Sequence, residues 1–411
     1  MGTPFNSRSI SRHAPTLQAA HDCLGRVRPG AYAKTRNFLD GAVTRLSPYI
    51  THGLLNIPQC IERLGEKHTL SLEDKLIYEF AWREYFQHVW TRLGSGILSD
   101  IRNPIWRGKY NTEVPWDILE GATGIPAIDA SVRTLYETGY LHNHARMWLA
   151  SYVVHMRKVD WKAGAAWMYA YLLDGDLASN FLSWQWVAGT FAHKPYLFNA
   201  DNVARYAAQW DCKGSVIDQS YADLEAFARG KNDCGKEKGR HEAICPPPLV
   251  ELPEVDFWRA TGGVKTLEQI RENPPKGSVY LVHPWDLGAS SEGHTGLKVG
   301  LIDISFHAQF KWSKMRWEFV AQRMGELVDE IWIVDTKQLL ATVNCECRMT
   351  ETLNPGYEAV GASASALVTP APRFFSNPTA LQPSFTRFFD MAVAGRELQS
   401  PRMDDLFRAT A

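Results

Sequence analysis

The segment that decides the fold reads YLHNHARMWLASYVVHM (140–156), VDWKAGAAWMYAYLL (159–173) and DGDLASNFLSWQW (174–186). Two apolar runs with helical spacing lead into a short acidic turn, in which Asp174 and Asp176 lie two residues apart. Asn180 and two indoles, Trp184 and Trp186, follow within the same stretch. Two carboxylates, an amide and two indoles between apolar segments predict a pocket for a flat aromatic ligand with polar edges.

The composition is that of a globular protein with an unusual number of tryptophans. The 411 residues are 45% hydrophobic and 22% charged, enough for two or three domains with cores of their own. There are 15 Trp residues, which supply planar surface for packing and stacking. The net charge of −1 gives no global signal for nucleic acid. Residues 1–50 are locally basic, and this segment could meet phosphates or simply be a solvated basic face.

Cysteines and apolar runs bear on the cellular compartment. The 7 cysteines form no C-x-x-C pair, and the N-terminus MGTPFNSRSISRHA contains no long apolar run. We therefore expect reduced thiols in a cytoplasmic protein, without a secretion signal or a membrane-spanning segment. Cys345 and Cys347 form a C-x-C pattern without nearby partners, so we expect no metal site.

Up to about residue 210 the hydrophobic periodicity indicates helices and loops. The segment 71–93 carries apolar and aromatic residues at helical spacing. Ser47, in front of Pro48, is expected to cap the start of a helix. A later helix is expected to end at Gly139. Together these features predict a mainly α domain over residues 1–210.

The second half of the chain has a different pattern. Residues 211–255 are rich in charged residues, glycine and proline and are expected to form a linker. Over residues 256–345, strand and helix patterns alternate and predict a small α/β unit with a parallel sheet. This unit has neither G-x-G-x-x-G nor a Walker A loop, so its sequence makes no claim on a nucleotide. Residues 346–411 are expected to be an irregular C-terminal extension with a short final helix.

Four motifs give the first half of the chain a family resemblance. They are Y-x-x-x-R followed by T-R-L-S-P-Y-I-T-x-G (32–53), E-F-A-W-R-E-Y-F (79–86), H-N-H-A-R-M (142–147) and D-G-D-L-A-S-N followed by W-Q-W (174–186). Over about residues 30–200 the chain resembles the flavin-binding catalytic half of the photolyase/cryptochrome family. The resemblance implies a helical domain that binds FAD. The α/β unit looks like a shortened relative of the family's antenna domain, which usually comes first, so we expect the short, antenna-lacking bacterial branch.

The resemblance assigns one set of residues to FAD. They are Tyr32, Thr44, Arg45, Leu46, Ser47, Arg83, Asn143, Arg146, Asp174, Asp176 and Asn180. Hydroxyls, backbone N–H groups and a cation before a helix suit the diphosphate, so T-R-L-S is placed there, although Val43 replaces a usual hydroxyl. Arg146 is expected to pair with Asp174 beside the flavin ring, since a buried carboxylate needs a cation. Asp176 is expected to face the polar ring edge, and Asn180 the central ring nitrogen, where asparagine is typical of photolyases.

A second set is placed on the substrate side by the same resemblance. It consists of Glu79, Trp82, Asn143, Met147 and Trp186. A pyrimidine dimer must leave the duplex, and indole surfaces then provide stacking worth roughly 1–3 kcal/mol per base. Glu79 resembles the carboxyl group that hydrogen-bonds the dimer. Glu79, Trp82 and Arg83 lie at i, i+3 and i+4, so one helix face can present all three.

Tryptophans are also expected to supply electrons to the flavin. The resemblance matches Trp184 to the member of an electron-transfer chain next to the flavin, and Trp161 to the middle member. Trp106 is assigned the surface position. Trp116 is the alternative for that position, and spacing along the chain does not separate the two.

The implied function is light-driven DNA repair. Reduced FAD would donate an electron to a cyclobutane pyrimidine dimer in UV-damaged DNA, the dimer would split and the electron would return, as in a deoxyribodipyrimidine photolyase-like lyase. The alternatives are a cryptochrome-like blue-light photoreceptor without repair activity, a (6-4) photolyase and a light-independent flavin protein. His142 and His144 flank Asn143 as in dimer-repair relatives. We expect a monomer without an antenna pigment.

Overall fold

The first half of the chain folds into helices, as its periodicity predicts. The computed structural model describes residues 13–192, 194–236, 242–258, 262–288, 290–364, 366–395 and 398. The α-helices of this half are α1 (Leu17–Gly25), α2 (Pro29–Thr35), α3 (Ser47–Thr51), α4 (Ile57–Gly65), α5 (Lys75–Leu93), α6 (Trp116–Leu119), α7 (Pro126–Thr138), α8 (Asn143–Ser151), α9 (Trp161–Tyr171), α10 (Leu177–Ala188), α11 (Ala200–Tyr206) and α12 (Tyr221–Arg229). A 3₁₀ helix, Gly94–Leu98, follows α5, and a π-helical turn, Tyr152–Met156, follows α8.

Short polar side chains and glycines set the helix ends near the predicted site. α7 ends at Gly139, which takes φ +64° as the sequence predicts, because a left-handed backbone costs glycine least. α10 begins after Asp176, whose side chain accepts the N–H of Ser179. The predicted Ser47 cap is wrong: α3 includes Ser47, and the apolar Leu46 takes the cap position without a side-chain hydrogen bond.

Helices α5, α8, α9 and α10 pack around a shared core. Trp148 of α8 and Trp184 of α10 are among the largest fully buried side chains, and burial of such large apolar surfaces is the main force that holds the helices together. Gly164 on α9 makes room for Trp184, because a Cβ at that position would lie 2.4 Å from the indole ring. α9 and α10 therefore pack closely beside the predicted site.

A parallel sheet with flanking helices forms the C-terminal region. Its elements are β1 (Leu249–Val250), β2 (Val264–Lys265), α13 (Leu267–Glu272), β3 (Val279–Val282), β4 (Leu297–Asp303), α14 (Ile304–Gln309), β5 (Trp312–Ser313), α15 (Lys314–Leu327), β6 (Glu330–Val334), α16 (Thr336–Leu340), β7 (Cys347–Thr350), β8 (Ala366–Thr369) and α17 (Phe385–Ala392). Six strands lie in the order β2-β6-β4-β3-β7-β8 and all pair in parallel. β3 is buried along its whole length, which is typical of a strand covered on both faces. β1 and β5 form a separate antiparallel pair.

The sheet extends farther than the sequence indicates. The region after residue 345 is predicted to be irregular, but β7 and β8 lie there and complete the sheet, and α17 follows them. β8 has four residues that alternate between half-buried and exposed positions, so its pattern is too short to stand out from the surrounding loops. The expected linker over 211–255 likewise contains α12. The prediction of a parallel sheet in this half is confirmed.

The segment 374–392 packs against α5 rather than extending away from it. The carboxylate of Glu84 accepts the backbone N–H groups of Phe374 and Phe375 at 2.8 and 3.0 Å. The N–H of Gln382 donates to Nε2 of His88 at 3.0 Å. Buried polar groups require such partners, so these contacts fix the segment to the helical half of the molecule.

None of the helices in the described ranges is both long enough and apolar enough to cross a membrane. Over the same ranges, no group of three or more His, Cys, Asp or Glu side chains is arranged to hold a metal ion. The 7 cysteines all lie in the described ranges, and none of them forms a disulfide bond.

Candidate active site

Two adjoining cavities contain most of the predicted site residues. The smaller cavity has a volume of about 200 Å³, and its walls include Glu79, Trp82, Arg83, Asn143, Arg146, Met147, Asp174, Asn180 and Trp184. The larger cavity, of about 440 Å³, is bordered by Tyr32, Thr44 and Ser47. Five residues border both cavities, namely Glu79, Asn143, Arg146, Met147 and Asp174. The joined space is called the central cleft below.

A buried ion pair lies where the two cavities meet. One nitrogen of the Arg146 guanidinium donates to both carboxylate oxygens of Asp174, at 3.0 and 2.7 Å, and Nε of Arg146 donates to the carbonyl of Leu141. Burial by itself raises the pKa of Asp174, but the Arg146 charge and hydrogen bonds outweigh it, so the pKa lies below its usual value. The cleft therefore holds a charged carboxylate, as the sequence predicts for this pair.

Two opposing influences act on the pKa of Glu79. Its side chain keeps 46% exposure and lies 3.6 Å from Nε of Arg36. Desolvation of the carboxyl nevertheless raises the pKa of Glu79, while Arg36 acts in the opposite direction. Glu79 is thus protonated more easily than a carboxyl group in water, and the protonated carboxyl group can donate a hydrogen bond.

The amides of the cleft are oriented by local hydrogen bonds. Nδ2 of Asn180 donates to the carbonyl of Ala165 at 2.9 Å, which leaves the amide oxygen as the group that can accept from a ligand. Nδ2 of Asn143 lies 3.5 Å from the sulfur of Met147, one helical turn away on α8. Both amides are therefore held on helices rather than on loops.

Helix α5 contributes aromatic side chains to the wall of the cleft, and α17 supports one of them. Trp82 stacks on Phe385 with ring centroids 4.1 Å apart and planes inclined by 5°. Phe86, one turn after Trp82, also borders the smaller cavity. A ring pair stacked in this way contributes about 0.5–1.5 kcal/mol beyond its buried area, so the C-terminal segment fixes the plane of the Trp82 indole.

Comparison with known proteins identifies the helical half. Residues 76–233 match the family model of the FAD binding domain of DNA photolyase. These residues are thus similar to the FAD-binding domain of the photolyase/cryptochrome family. The deoxyribodipyrimidine photo-lyase of Streptomyces griseus is 37% identical over 229 residues, which cover 54% of this chain and 49% of that relative. The cryptochrome DASH of Natronomonas pharaonis is 34% identical over 198 residues, covering 44% and 41% of the two chains.

The similarity is limited to part of each relative. The deoxyribodipyrimidine photo-lyase of Escherichia coli is 31% identical over 206 residues, or 47% of this chain and 43% of that protein. The chain thus spans about half the length of the curated relatives it matches. Among solved structures, a Synechocystis cryptochrome aligns with a TM-score of 0.43 and 23% identity over 56% of each chain.

The central cleft fits FAD, which the family match confirms as the expected cofactor of this domain. The larger cavity offers the hydroxyls of Thr44 and Ser47 beside the cation of Arg36, the groups that a diphosphate requires. Nδ1 of His144 is buried there and finds no hydrogen-bond partner among the described residues. Burial lowers the pKa of His144 to about 4, so this ring is neutral and has an unused polar atom for a ligand.

Asp176 does not border the central cleft. One of its oxygens accepts from the backbone N–H and the hydroxyl of Ser179 at 2.8 and 2.5 Å, and the other accepts from Gln87 at 2.8 Å. It borders a different cavity of about 200 Å³ between α5 and the ends of β3 and β7. The sequence D-L-A-S already carries the signal for this role, because an aspartate three residues before a serine N–H is a typical helix cap.

Trp186 also lies away from the central cleft. It is 37% exposed and stacks on Tyr196 with ring centroids 5.6 Å apart. Two consecutive steps along an α-helix rotate a side chain by about 200°. Since Trp184 borders the cleft from α10, Trp186 points to the opposite side, and the two indoles of W-Q-W cannot share one wall.

The T-R-L-S motif is divided between the cleft and the core. Thr44 and Ser47 border the larger cavity, but Leu46 is 1% exposed within the core. Arg45 takes the left-handed φ of +55°, and its guanidinium lies 5.7 Å from the ring of Tyr140. The two outer residues are therefore the ones that can contact a cofactor directly.

Of the tryptophans predicted for electron transfer, Trp184 borders the central cleft. It lines the smaller cavity and packs against Gly164, one turn after Trp161 on α9. Nε1 of Trp161 donates to Oδ1 of Asp100 at 2.6 Å. Trp106 lies edge-on to Tyr110 at 4.7 Å between ring centroids. Trp116, the alternative, is 70% exposed.

Several cleft residues are not found by sequence reasoning. They are Arg36, Asn37, Tyr140, His144, Phe86, Ser179 and Ser183. Two of them carried a signal: Arg36 ends the quoted Y-x-x-x-R motif, and Ser183 lies one helical turn after Asn180. The others are ordinary residues whose position depends on packing between helices that are distant in the chain.

Proposed function

We propose that this chain is a light-driven DNA repair protein that splits cyclobutane pyrimidine dimers. The observation that carries the proposal is the central cleft itself. There, Glu79, Asn143 and Met147, matched to the lesion side, border both cavities together with the ion pair Arg146–Asp174, matched to the flavin side. A lesion and a flavin bound in this cleft would be separated by only a few side chains. Electron transfer requires such a short separation.

FAD would occupy the larger cavity and reach Asn180 in the smaller one, with Glu79 and Trp82 left for the lesion. When bound and reduced, it supplies under blue or near-UV light the electron that opens the cyclobutane ring, and it takes the electron back when the two carbon–carbon bonds have broken. Tyr32, Thr44 and Ser47 would hold the diphosphate through their hydroxyls. The ion pair Arg146–Asp174 would lie beside the polar part of the ring, and the amide oxygen of Asn180 would accept from the ring N–H of reduced flavin.

Glu79 and Trp82 would act on the lesion. A damaged base pair is cheaper to unstack than an intact one, and the extruded bases then need a flat surface. Trp82 offers such a surface, already held in plane by Phe385. Glu79 has a raised pKa, so in its protonated form it would donate a hydrogen bond to a pyrimidine carbonyl and stabilise the added electron there.

The wider features follow from the same proposal. Trp184, Trp161 and Trp106 would carry electrons from the surface to the cleft, and Trp186 would meet DNA at the rim, outside the cleft. The partner would be DNA with UV lesions, bound through phosphate contacts that weaken with salt. The basic segment over 1–50 would contribute, although its residues 1–12 lie outside the described part. We expect a monomer that acts in the cytoplasm.

We also propose domain boundaries along the chain. The helical half, residues 1–210, would form the flavin domain, and the small α/β unit would begin near residue 256 after the linker. Because β7 and β8 belong to the same sheet as β3, we extend the unit from residue 345 to residue 369. The segment 374–392 would then belong with the flavin domain, against which it packs.

A light-dependent repair assay tests the proposed function. Purified protein loaded with FAD and reduced is mixed with an oligonucleotide that contains one cyclobutane dimer, in blue light and in the dark. We expect loss of the dimer in light alone. Glu79→Gln should lower the repair yield per photon while FAD stays bound. Retention of the dimer in light by fully reduced wild-type protein would contradict the proposal.

A photoreceptor without repair activity is the second candidate. The observation in its favour is that one face of Trp82 is already covered by Phe385, so this face is not free for a base. The cryptochrome DASH relatives are compatible with it. This candidate predicts light-driven flavin reduction without dimer loss. The same assay with a (6-4) lesion distinguishes it from a (6-4) photolyase.

A further inference from the structure

We propose that Arg316, on α15 of the C-terminal region, is a positioning residue that holds the turn carrying Asp174 in place for the flavin. Its guanidinium reaches from the sheet side of the molecule into the helical half. One nitrogen donates to the carbonyl of Tyr169 at 3.1 Å, and the other donates to the carbonyl of Gly175 at 2.5 Å. The inference rests on FAD binding in the central cleft and not on repair.

The turn is held at three consecutive carbonyl groups. Nε2 of His52 lies 2.8 Å from the carbonyl of Leu173, the hydroxyl of Thr51 donates to that of Asp174 at 3.3 Å, and Arg316 donates to that of Gly175. The Asp174 side chain, which these contacts hold from the backbone, accepts from Arg146. Of the three donors, Arg316 is the one that carries a permanent charge.

Two carbonyl groups and two aromatic rings surround the buried guanidinium of Arg316. The side chain is completely buried, and its guanidinium lies 3.9 Å above the ring of Trp312 and 4.7 Å from that of Tyr169. A buried charge is costly unless it is paired or hydrogen-bonded, and an apolar side chain of similar size often gives equal stability. Fold stability alone therefore does not require an arginine here, whereas fixing the carbonyls of two segments with one planar fork does.

The fit between the arginine and the turn is tight. Gly175 lies so close that a Cβ on it would come within 2.5 Å of a guanidinium nitrogen of Arg316. A shift of α15 would thus be transmitted to the turn directly. The charge of Arg316 also acts on both acidic residues of the turn, because Asp174 and Asp176 are among the groups that interact with it electrostatically. The C-terminal region would thereby set both the position of Asp174 and the field at the flavin.

Two substitutions at position 316 and a matched control test the inference. Arg316→Gln removes the charge, and Arg316→Lys keeps the charge but cannot bridge two carbonyls with a planar fork. The control is Arg323→Gln, because Arg323 is a second buried arginine on α15 that donates to the carbonyl of Leu287 and pairs with Glu326, and these hydrogen bonds do not go to the carbonyl groups of the turn. The measurements are the dissociation constant for FAD, the reduction potential of bound FAD and the stability of the cofactor-free protein.

We expect Arg316→Gln to weaken FAD binding at least tenfold and to lower the reduction potential, because a positive charge near the flavin is lost. Arg316→Lys should weaken FAD binding several-fold with a smaller change of potential, and it serves alone if Arg316→Gln does not fold. Arg323→Gln should leave both quantities unchanged even where it lowers stability. Equal effects of Arg316→Lys and Arg323→Gln, or unchanged FAD binding in Arg316→Lys, would overturn the inference. Absence of repair by a wild-type protein that binds FAD would refute the proposed function and leave this inference standing.

Discussion

The turn at 172–176 and the segment at 374–392 both hold residues of the central cleft, but they do so with different forces. The turn is fixed by buried hydrogen bonds and charges: Arg146 on the Asp174 carboxylate, and Arg316 on the backbone of Gly175. The first part of the segment is held on α5 by the Glu84 and His88 hydrogen bonds. Its last part, α17, meets α5 through aromatic contacts, with Phe385 on Trp82 and Phe389 4.4 Å from Tyr78. The contact that reaches Asp174 is therefore polar and enclosed, and the contact that reaches Trp82 is apolar.

The difference bears on how each side should respond to change. Removing one partner of a buried ion pair leaves an uncompensated charge, which costs about 3–5 kcal/mol. Replacing one ring of a stacked pair by an aliphatic side chain removes only the stacking contribution, about 0.5–1.5 kcal/mol. Single substitutions on the flavin side of the cleft should therefore cause large losses of stability and FAD affinity. Substitutions on the side matched to the lesion should cause small losses of DNA affinity.

The largest effect is expected from Asp174→Asn. The substitution keeps the shape of the side chain but leaves the Arg146 guanidinium, whose side chain is 25% exposed, without its counter-charge. We expect a loss of about 3 kcal/mol in unfolding free energy and roughly 100-fold weaker FAD binding. Urea unfolding and titration with FAD measure the two quantities. The control is Asp40→Asn at an exposed carboxylate, and equal FAD affinity of the two variants would remove Asp174 from the flavin site.

Acid should weaken the polar anchor through His52. Burial, assisted by the Arg316 charge, lowers the pKa of His52 from 6.5 to about 3. The unfolded chain therefore binds a proton that the folded chain refuses, and stability falls as the pH drops from about 6.5 toward 3. The expected slope is roughly 1.4 kcal/mol per pH unit for this residue.

Unfolding free energies at pH 6.5 and pH 4.5 measure this effect. His52→Gln should show a slope that is smaller by about one proton. An unchanged slope in His52→Gln would mean that this histidine does not remain neutral in the folded protein.

A smaller effect is expected from Phe385→Leu on the aromatic anchor. Leucine fills most of the space but cannot stack, so the Trp82 indole loses the contribution of its stacked neighbour. The affinity for dimer-containing DNA should fall about two- to tenfold, with FAD binding unchanged. The control is Met391→Ala, at an exposed position on the same helix. Tighter binding in Phe385→Leu would instead identify α17 as a cover over the lesion site.

The smallest effect is expected from Trp186→Ala. Because Trp186 lies on the outer side of α10 and stacks on Tyr196, its removal should weaken binding of dimer-containing DNA by at most about threefold. Trp82→Ala should weaken it by about tenfold or more, as expected for the loss of a base-stacking surface. The ratio of the two dissociation constants, measured on the same oligonucleotide, is the decisive quantity. Equal losses would place both indoles on the bound lesion.

The sequence predicts the parts of the cleft that depend on local geometry. The order of helices and the end of α7 at Gly139 follow from helical spacing and glycine. The grouping of Asp174, Arg146 and Asn143 is implied by the family resemblance of the motifs. The sequence does not predict β8, since four residues with alternating exposure give too weak a signal. It does not predict the separation of Trp184 and Trp186 either, although the helical period contains that information.

What the sequence by itself determined is which side chains share a helix face, because 3.6 residues per turn fix that locally. Glu79, Trp82 and Arg83 on α5, and Asn180 and Trp184 on α10, face the cleft for this reason. Only the tertiary structure decided what holds that face: Arg316 lies 141 residues from Gly175, and Glu84 lies 290 residues from Phe374. Such contacts depend on whether two distant surfaces fit well enough to offset the entropy of bringing them together. No local pattern records that fit.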